Sequence, residues 1–190
     1  PVTINGDGSI AGLAVGGLGN GGIVDADSLA ANAVTTAKLA NGAVTNVKHG
    51  AGSVIQVKQA ETSSQITSSS GDFDIVSVAF TPTATGNKIF IFGTVMGIQA
   101  GGYNNIRIKI IVKRDSTSLM ASDANHWYQG STQTVRDGGF SINYVDTAPG
   151  TSSYTYKLVG NWIDTSGTNG YVNKDSNAGS STITVMEVAA

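Results

Sequence analysis

A ten-residue repeat dominates the first third of this sequence. Between residues 23 and 62 the chain reads IVDADSLAAN, AVTTAKLANG, AVTNVKHGAG and SVIQVKQAET, with valine at the second position of every unit. A unit this short cannot bury a core, so it gains stability only by stacking on its neighbours or on symmetry copies. The repeat therefore indicates an assembled object and not a lone enzyme. The apolar positions that we expect to carry this packing are Val24, Val34, Val44, Leu29 and Leu39.

Glycine is concentrated at the start of the chain, although it accounts for 25 of the 190 residues overall. A segment built this way cannot fold alone, because each glycine loses much backbone entropy and buries no side chain. We predict an extended glycine-rich arm over residues 1–22, a decapeptide-repeat attachment segment over residues 23–52 and a folded domain over residues 53–190. Within the repeats, TTAKLANG is typical of a single helical turn.

The charge content excludes several classes of partner. Only 13% of the residues are charged and the net charge is -2, so no basic field is present to attract nucleic acid or anionic lipid. Cysteine is absent, which removes disulfides, thiolate nucleophiles and cysteine-based zinc sites. No apolar run of about 18 residues exists, so we expect no membrane insertion.

From residue 53 onward the sequence pattern is typical of strands separated by turn-forming residues. The strand-like segments are rich in β-branched and aromatic residues, and they are 54–60, 73–80, 89–99, 106–113, 140–145, 154–163 and 182–188, with short additions at 119–121 and 170–172. This pattern predicts a mostly β fold of about seven to nine strands arranged as an antiparallel sandwich.

One of these strands is apolar on both faces. Alternation over residues 88–99 places Ile89, Ile91 and Val95 on one face and a second apolar set on the other. A strand of a two-layer sandwich with two apolar faces needs a cover for its outer face, and another copy of the subunit is the simplest one. The predicted interface residues are Phe90, Phe92, Met96 and Ile98.

No motif of enzyme chemistry stands out. GLGNGG at residues 17–22 satisfies GxGxxG, but it lacks the strand, helix and parallel βαβ context of a dinucleotide site, so a flexible arm is the better interpretation. His126 with Asp123, or Asp25 with Asp27, could offer metal ligands, yet neither pair resembles a zinc motif or an EF-hand. We therefore expect no cofactor, no metal and no catalytic residues.

Three adjacent side chains are candidates for surface recognition: His126, Trp127 and Tyr128. Exposed aromatic residues in a loop flanked by glycine and serine give a large contact area at small entropy cost, which suits a host glycan, a surface receptor or a neighbouring protein. The alternative is that Trp127 closes one end of the sandwich, because tryptophan is mostly buried on average. The sequence leaves both interpretations open.

The segments SVIQVKQAETSSQITSSS, VAFTPTATGNKIFIFGTV, FSINYVDTAPGTSSYTYKL and SSTITVMEVAA are together similar to a domain at the C-terminus of many tailed-bacteriophage virion proteins. VDADSLAANAVTTAKLANGAVT likewise resembles the decapeptide-like shafts of phage fibre and head-decoration proteins. The resemblance implies a homotrimeric jelly-roll knob borne on an attachment segment. It also implies a protein made in the host cytoplasm and placed on the virion surface, with the major capsid protein or other virion proteins bound through residues 1–52.

Two virion roles remain open, together with a stand-alone lectin-like module. The first role is a trimeric protein that decorates and cements a capsid, and the second is a tail-fibre or tail-spike tip that binds the host surface. Long fibres devote hundreds of residues to a shaft, whereas 52 residues precede the knob here. The short attachment segment favours the capsid decoration protein.

Overall fold

The computed structural model describes residues 3–4, 6, 10–11, 31, 34–40, 43, 48, 50–100, 106–122, 127–129, 138–147, 149–163, 170–174 and 179–190. The chain forms two compact units, Pro1–Val44 and Thr45–Ala190. The finer division at residues 22 and 52 stays a prediction.

The first unit contains two very short strands, β1 (Thr3–Ile4) and β2 (Ile10–Ala11), which pair in antiparallel fashion. Only residues 3–4, 6 and 10–11 of the predicted extended arm are described, so the arm over residues 1–22 stays a prediction. Thr36–Lys38 forms one 3₁₀ turn, in agreement with the helical turn predicted for TTAKLANG.

The described residues of the first unit do not test the predicted packing of the repeats. Val34 and Leu39 are exposed on either side of the 3₁₀ turn. Val24, Leu29 and Val44 lie outside the described residues. The packing role of these five residues therefore stays a prediction.

The second unit is an antiparallel β-sandwich, as predicted. Its described strands are β3 (Val54–Thr62), β4 (Ile66–Ser68), β5 (Gly71–Phe80), β6 (Lys88–Ala100), β7 (Ile106–Arg114), β8 (Thr117–Ala121), β9 (Trp127–Gln129), β10 (Gly138–Asp146), β11 (Tyr154–Ile163), β12 (Gly170–Val172) and β13 (Ser181–Val188). One sheet has the order β3-β13-β6-β12-β4, with β10 also paired to β6; the other has the order β5-β11-β7-β8, with β9 also paired to β7. This two-layer architecture agrees with a jelly roll. The sequence missed β4 and β9, which are only three residues long.

The core lies between the two sheets, which approach each other closely at Gly93. A Cβ atom on Gly93 of β6 would lie 2.7 Å from Cδ2 of Leu158 on β11 and 2.9 Å from Cγ2 of Ile142. Leu158 is fully buried and belongs to the same core cluster as Ile89, Ile91 and Val95. Glycine at position 93 therefore makes the space that the opposing leucine fills.

A β-bulge at Gly97 changes which residues of β6 face the core. Phe140 pairs with Val95, whereas Gly138 pairs with Ile98, so β6 carries one extra residue at this point. Gly97 has a φ of 57°, the left-handed conformation that glycine adopts readily in such bulges. The extra residue turns Ile98 into the core, where its side chain is 0% exposed. The prediction that Ile98 shares the outer face of Phe90 and Phe92 is therefore wrong.

The fourth decapeptide unit is a strand of the sandwich. SVIQVKQAET supplies β3, which pairs with the C-terminal strand β13. Two side chains of β3 also bind backbone oxygens near the end of β5. Gln56 Nε2 donates to the Thr81 carbonyl oxygen at 2.8 Å, and Lys58 Nζ donates to the Ala79 carbonyl oxygen at 3.2 Å. These side chains bridge the edges of the two sheets, which protects β3 from pairing with another chain.

Candidate interaction face

The outer face of the first sheet carries an apolar row that crosses four strands. Register pairing aligns Val145 of β10, Phe90 of β6, Met186 of β13 and Val57 of β3. The next row contains one aromatic residue among uncharged polar residues, and it consists of Asn143, Phe92, Thr184 and Gln59. Side chains opposite each other on neighbouring strands share a face, so the two rows form one surface. We call these eight residues the outer rows.

The outer rows remain partly open to solvent. Val57 is 54% exposed and Phe92 is 42% exposed. The rings of Phe90 and Phe92 stack with their centroids 6.5 Å apart and an interplanar angle of 14°. Such a contiguous apolar surface rimmed by polar residues is typical of an interaction site.

The outer face of the second sheet has the opposite chemistry. Lys113 Nζ lies 2.5 Å from Asp72 Oδ2, and Lys157 Nζ lies 3.0 Å from Asp74 Oδ2. Asn161 Nδ2 adds a hydrogen bond of 2.6 Å to Asp72. The hydrogen bonds from Lys113 and Asn161 lower the pKa of Asp72 below its ordinary value. This charged face is therefore suited to water, and the outer rows are suited to a partner.

Inside the sandwich, one buried carboxylate joins the two sheets. Asp146 of β10 accepts hydrogen bonds from Arg114 Nη1 at 2.6 Å and from the Tyr156 hydroxyl at 2.9 Å. Burial, and then the bond to Asp146, raise the pKa of Tyr156 well above its ordinary value of 10.0. Arg114 also lies over the ring of Tyr154, with 5.2 Å from its Cζ to the centroid. The group is a structural ion pair with both partners fixed.

A second buried carboxylate, Glu187 of β13, is held by neutral donors. Its Oε1 accepts from the Thr83 backbone N–H at 2.7 Å, the Thr83 hydroxyl at 2.9 Å and Asn87 Nδ2 at 2.7 Å. Its Oε2 accepts from Gln56 Nε2 at 2.6 Å. Burial alone would raise the pKa of Glu187, but the hydrogen bonds from Asn87, Gln56 and Thr83 together hold that pKa below its ordinary value of 4.5.

Three of the predicted interface residues lie on the side of β6 away from the core. Phe90, Phe92 and Met96 alternate with the buried Ile89, Ile91 and Val95. That they form a trimer interface stays a prediction. Reasoning from the sequence missed Val57, Val145 and Met186, although the apolar residues on both faces of TITVMEV were a usable signal for Met186.

The surface-recognition candidates are described only in part. Trp127 and Tyr128 belong to strand β9, where a loop was expected, and they pair in register with Ile108 and Arg107. Their side chains and the whole of His126 lie outside the described residues, so both interpretations of this cluster stay predictions.

A different tryptophan fills the space between the sheets. Trp162 of β11 is 4% exposed and stacks on Phe73 with 6.3 Å between ring centroids. A Cβ atom on Gly170 of β12 would lie 2.1 Å from its Cε2. Its Nε1 is buried and has no hydrogen-bond partner among the residues that the structure describes.

The remaining predicted chemistry concerns metals and membranes. Within the ranges that the structure describes, no three His, Cys, Asp or Glu residues come together as metal ligands. The pairs Asp25 with Asp27 and Asp123 with His126, and the GLGNGG segment, lie outside those ranges. Over the same described part of the chain, no helix has the length and apolar character to cross a bilayer.

Comparison with known proteins places the chain in no family. No protein-family model matches it, and no curated protein matches it. Two solved structures, of infectious bursal disease virus strains Gx and Gt, contain similar chains. The Gx chain is 12% identical, with a TM-score of 0.40 over 71% of this chain and 37% of that chain. The Gt chain is 9% identical, with a TM-score of 0.32 over 72% of this chain and 41% of that chain. This chain therefore spans less than half the length of either one.

Proposed function

We propose that this chain is a non-enzymatic structural protein of a bacteriophage particle, a trimeric capsid decoration protein anchored through residues 1–52. The observation that carries the proposal is the pair of outer rows, an uncharged surface with one apolar row and one polar row around Phe92. The two buried carboxylates of the described residues, Asp146 and Glu187, are both engaged in structural hydrogen bonds. The protein therefore acts through surfaces.

A copy of the same chain is the partner that suits the outer rows. The rows contain no charged residue, so they offer nothing to the phosphates of nucleic acid or to anionic lipid. Aromatic and aliphatic side chains with few charges are typical of the centre of a permanent interface. In this arrangement the charged outer face of the second sheet stays in water.

The N-terminal segment provides the attachment. Decapeptide units and glycine-rich sequence have too little apolar surface to form a core, so they gain order against a larger partner. The resemblance of this segment to the shafts of phage fibre and head-decoration proteins supports the same role.

The trimer is tested by placing a charge in the outer rows. Val57→Asp changes an exposed side chain on an edge strand, so the monomer should fold while the association is lost. Thr155→Asp is the matched control, because Thr155 is an exposed position of the charged second sheet. Sedimentation velocity should show a trimer for the wild type and the control and a monomer for Val57→Asp. A monomeric wild type at micromolar concentration refutes the trimer.

The anchoring role is tested on particles. Full-length protein and a version lacking residues 1–44 are mixed separately with undecorated capsids and with tail assemblies and then sedimented. We expect only the full-length protein to bind, and to bind capsids in many copies. Capsid binding by the shortened protein would contradict the anchor, and binding of the full-length protein to tails alone would establish the fibre-tip function.

A further inference from the structure

The start of β3 is a weak point of the sheet ladder. Glu187 pairs with Gln56 but Val188 pairs with Val54, so Ile55 is an extra residue that interrupts the pairing with β13. Before the interruption, Gly52 N–H donates to the Ala189 carbonyl oxygen at 3.0 Å and Ala189 N–H donates to the Ser53 carbonyl oxygen at 2.9 Å. This end of β3 is therefore attached by these backbone hydrogen bonds together with side-chain contacts beside the interrupted ladder.

Glu187 supplies the side-chain contacts. Its carboxylate is 0% exposed and joins Gln56 of β3 to Thr83 and Asn87 of the turn between β5 and β6. Within the described part of the chain, all four of its hydrogen bonds come from amide, hydroxyl or backbone groups and none from a cation. A buried anion without a cation depends entirely on the number and direction of such donors.

The two amide side chains are fixed in the donating orientation. Gln56 Nε2 also donates to the Thr81 carbonyl oxygen at 2.8 Å, and Asn87 Oδ1 accepts from the Ala190 N–H at 3.2 Å. Rotating either amide by 180° would break these second bonds, because the amide oxygen cannot donate and the amide nitrogen cannot accept. The site is therefore built for a carboxylate: a proton on Oε1 would meet three donors, and a proton on Oε2 would make that oxygen a weaker acceptor from Gln56.

We infer that Glu187 is an acid-operated latch: protonation of its carboxyl group releases the start of β3, where the attachment segment enters the sandwich. This device goes beyond the proposed function and does not depend on it. The proton adds to one Glu187 oxygen, the hydrogen bond from Gln56 or from Asn87 weakens, and residues 52–55, around the extra residue Ile55, lose the side-chain support beside their backbone hydrogen bonds.

The other charged groups near Glu187 bind different partners or face the solvent. Asp146 lies on the far side of Ile89 and is paired with Arg114. Lys58 of β3 donates to the Ala79 carbonyl oxygen, and Lys88 is exposed at the start of β6. Because the pKa of Glu187 is held below 4.5 in the folded protein, the latch is closed at neutral pH. It opens only as the pH falls below that value.

The test is hydrogen exchange of the full-length protein as a function of pH, with protection factors corrected for the intrinsic rate. In the wild type we expect the amides of residues 52–55 to lose protection on acidification before those of β7 and β11 do. Glu187→Gln replaces an acceptor by a donor facing Gln56, so the same amides should be unprotected already at neutral pH, with no acid step. Normal protection together with an unchanged acid step in Glu187→Gln would overturn the inference.

A milder variant tests the latch if Glu187→Gln does not fold. Thr83→Val removes one hydroxyl donor and leaves the carboxylate in place, so the midpoint of the acid step should move to higher pH. Thr85→Val, at an exposed position of the same turn, is the matched control and should leave the midpoint where it is. An unchanged midpoint in Thr83→Val would show that another group controls the opening.

Discussion

Asp146 and Glu187 lie on either side of Ile89 in a single core-facing row of the first sheet. The two carboxylates are stabilised in different ways. Asp146 is bound by the guanidinium of Arg114 and the hydroxyl of Tyr156, both from the second sheet, whereas Glu187 is bound by neutral donors from β3 and a turn. One end of the sandwich is therefore held by an ion pair between the sheets and by an amide-lined anion site within a few residues of each other.

Removing Arg114 should strongly destabilise the sandwich. Arg114→Met leaves Asp146, which is 3% exposed, without its cation, and the free energy of unfolding should fall by about 3–5 kcal/mol. Lys157→Met is the matched control, since its partner Asp74 is largely exposed, and it should cost at most about 1 kcal/mol. Urea denaturation measures both values. Equal losses in the two variants would contradict a special role for the buried pair.

Tyr156 should make the folded protein sensitive to alkali. Its pKa is raised above 10.0 in the folded state, so its contribution to stability is complete below that pH and is lost as the pH rises above it. Tyr156→Phe should cost about 1.5–3 kcal/mol at neutral pH, because a hydrogen bond to a charged group is lost. This difference from the wild type should shrink between about pH 10 and pH 12. A difference that stays constant over this range would contradict the raised pKa.

Gly93 should tolerate no larger residue. Gly93→Ala places a methyl group 2.7 Å from Leu158 Cδ2, so the sheets must separate or Leu158 must change rotamer, at a cost of about 1–3 kcal/mol. Gly50→Ala is the matched control, since nothing lies within 4 Å of its added Cβ atom. We expect the control to change the stability by at most about 0.5 kcal/mol. Thermal unfolding of both variants decides the point.

The C-terminal strand should be indispensable. Deleting residues 183–190 removes most of β13, which pairs with β3 on one side and β6 on the other, and splits the first sheet. We expect this truncation to abolish soluble protein, whereas deleting residues 1–44 should leave a folded second unit. Solubility and circular dichroism of the two truncations test this contrast. A folded C-terminal truncation would make β13 peripheral.

The sequence was informative where apolar alternation is long. It predicted β5, β6, β7, β10, β11 and β13 to within two residues at each end, because runs of six or more residues rich in β-branched and aromatic side chains leave little ambiguity. It failed for β4 and β9, which are too short to show a period. It also failed for Ile98, because alternation cannot register the extra residue that the bulge at Gly97 inserts.

The candidate site could be predicted only in part. Phe90 and Phe92 stand out on β6 because both faces of that strand are apolar. Val57 and Val145 join them only through the register of strands distant in sequence, which no local pattern encodes. The Glu187 site could not be predicted for the same reason. Its donors come from positions 56, 83 and 87, which lie 100 or more residues before the carboxylate in the sequence.

The absence of charge from the outer rows has a consequence for the solution conditions in which subunits can associate. Exposed ion pairs such as Lys157 with Asp74 weaken as dissolved ions screen them, whereas apolar contact does not depend on that screening. Association through Phe90, Met186 and Val57 would therefore hold at low and high ionic strength alike. A particle built with such contacts could move between fresh water and brine without shedding these subunits.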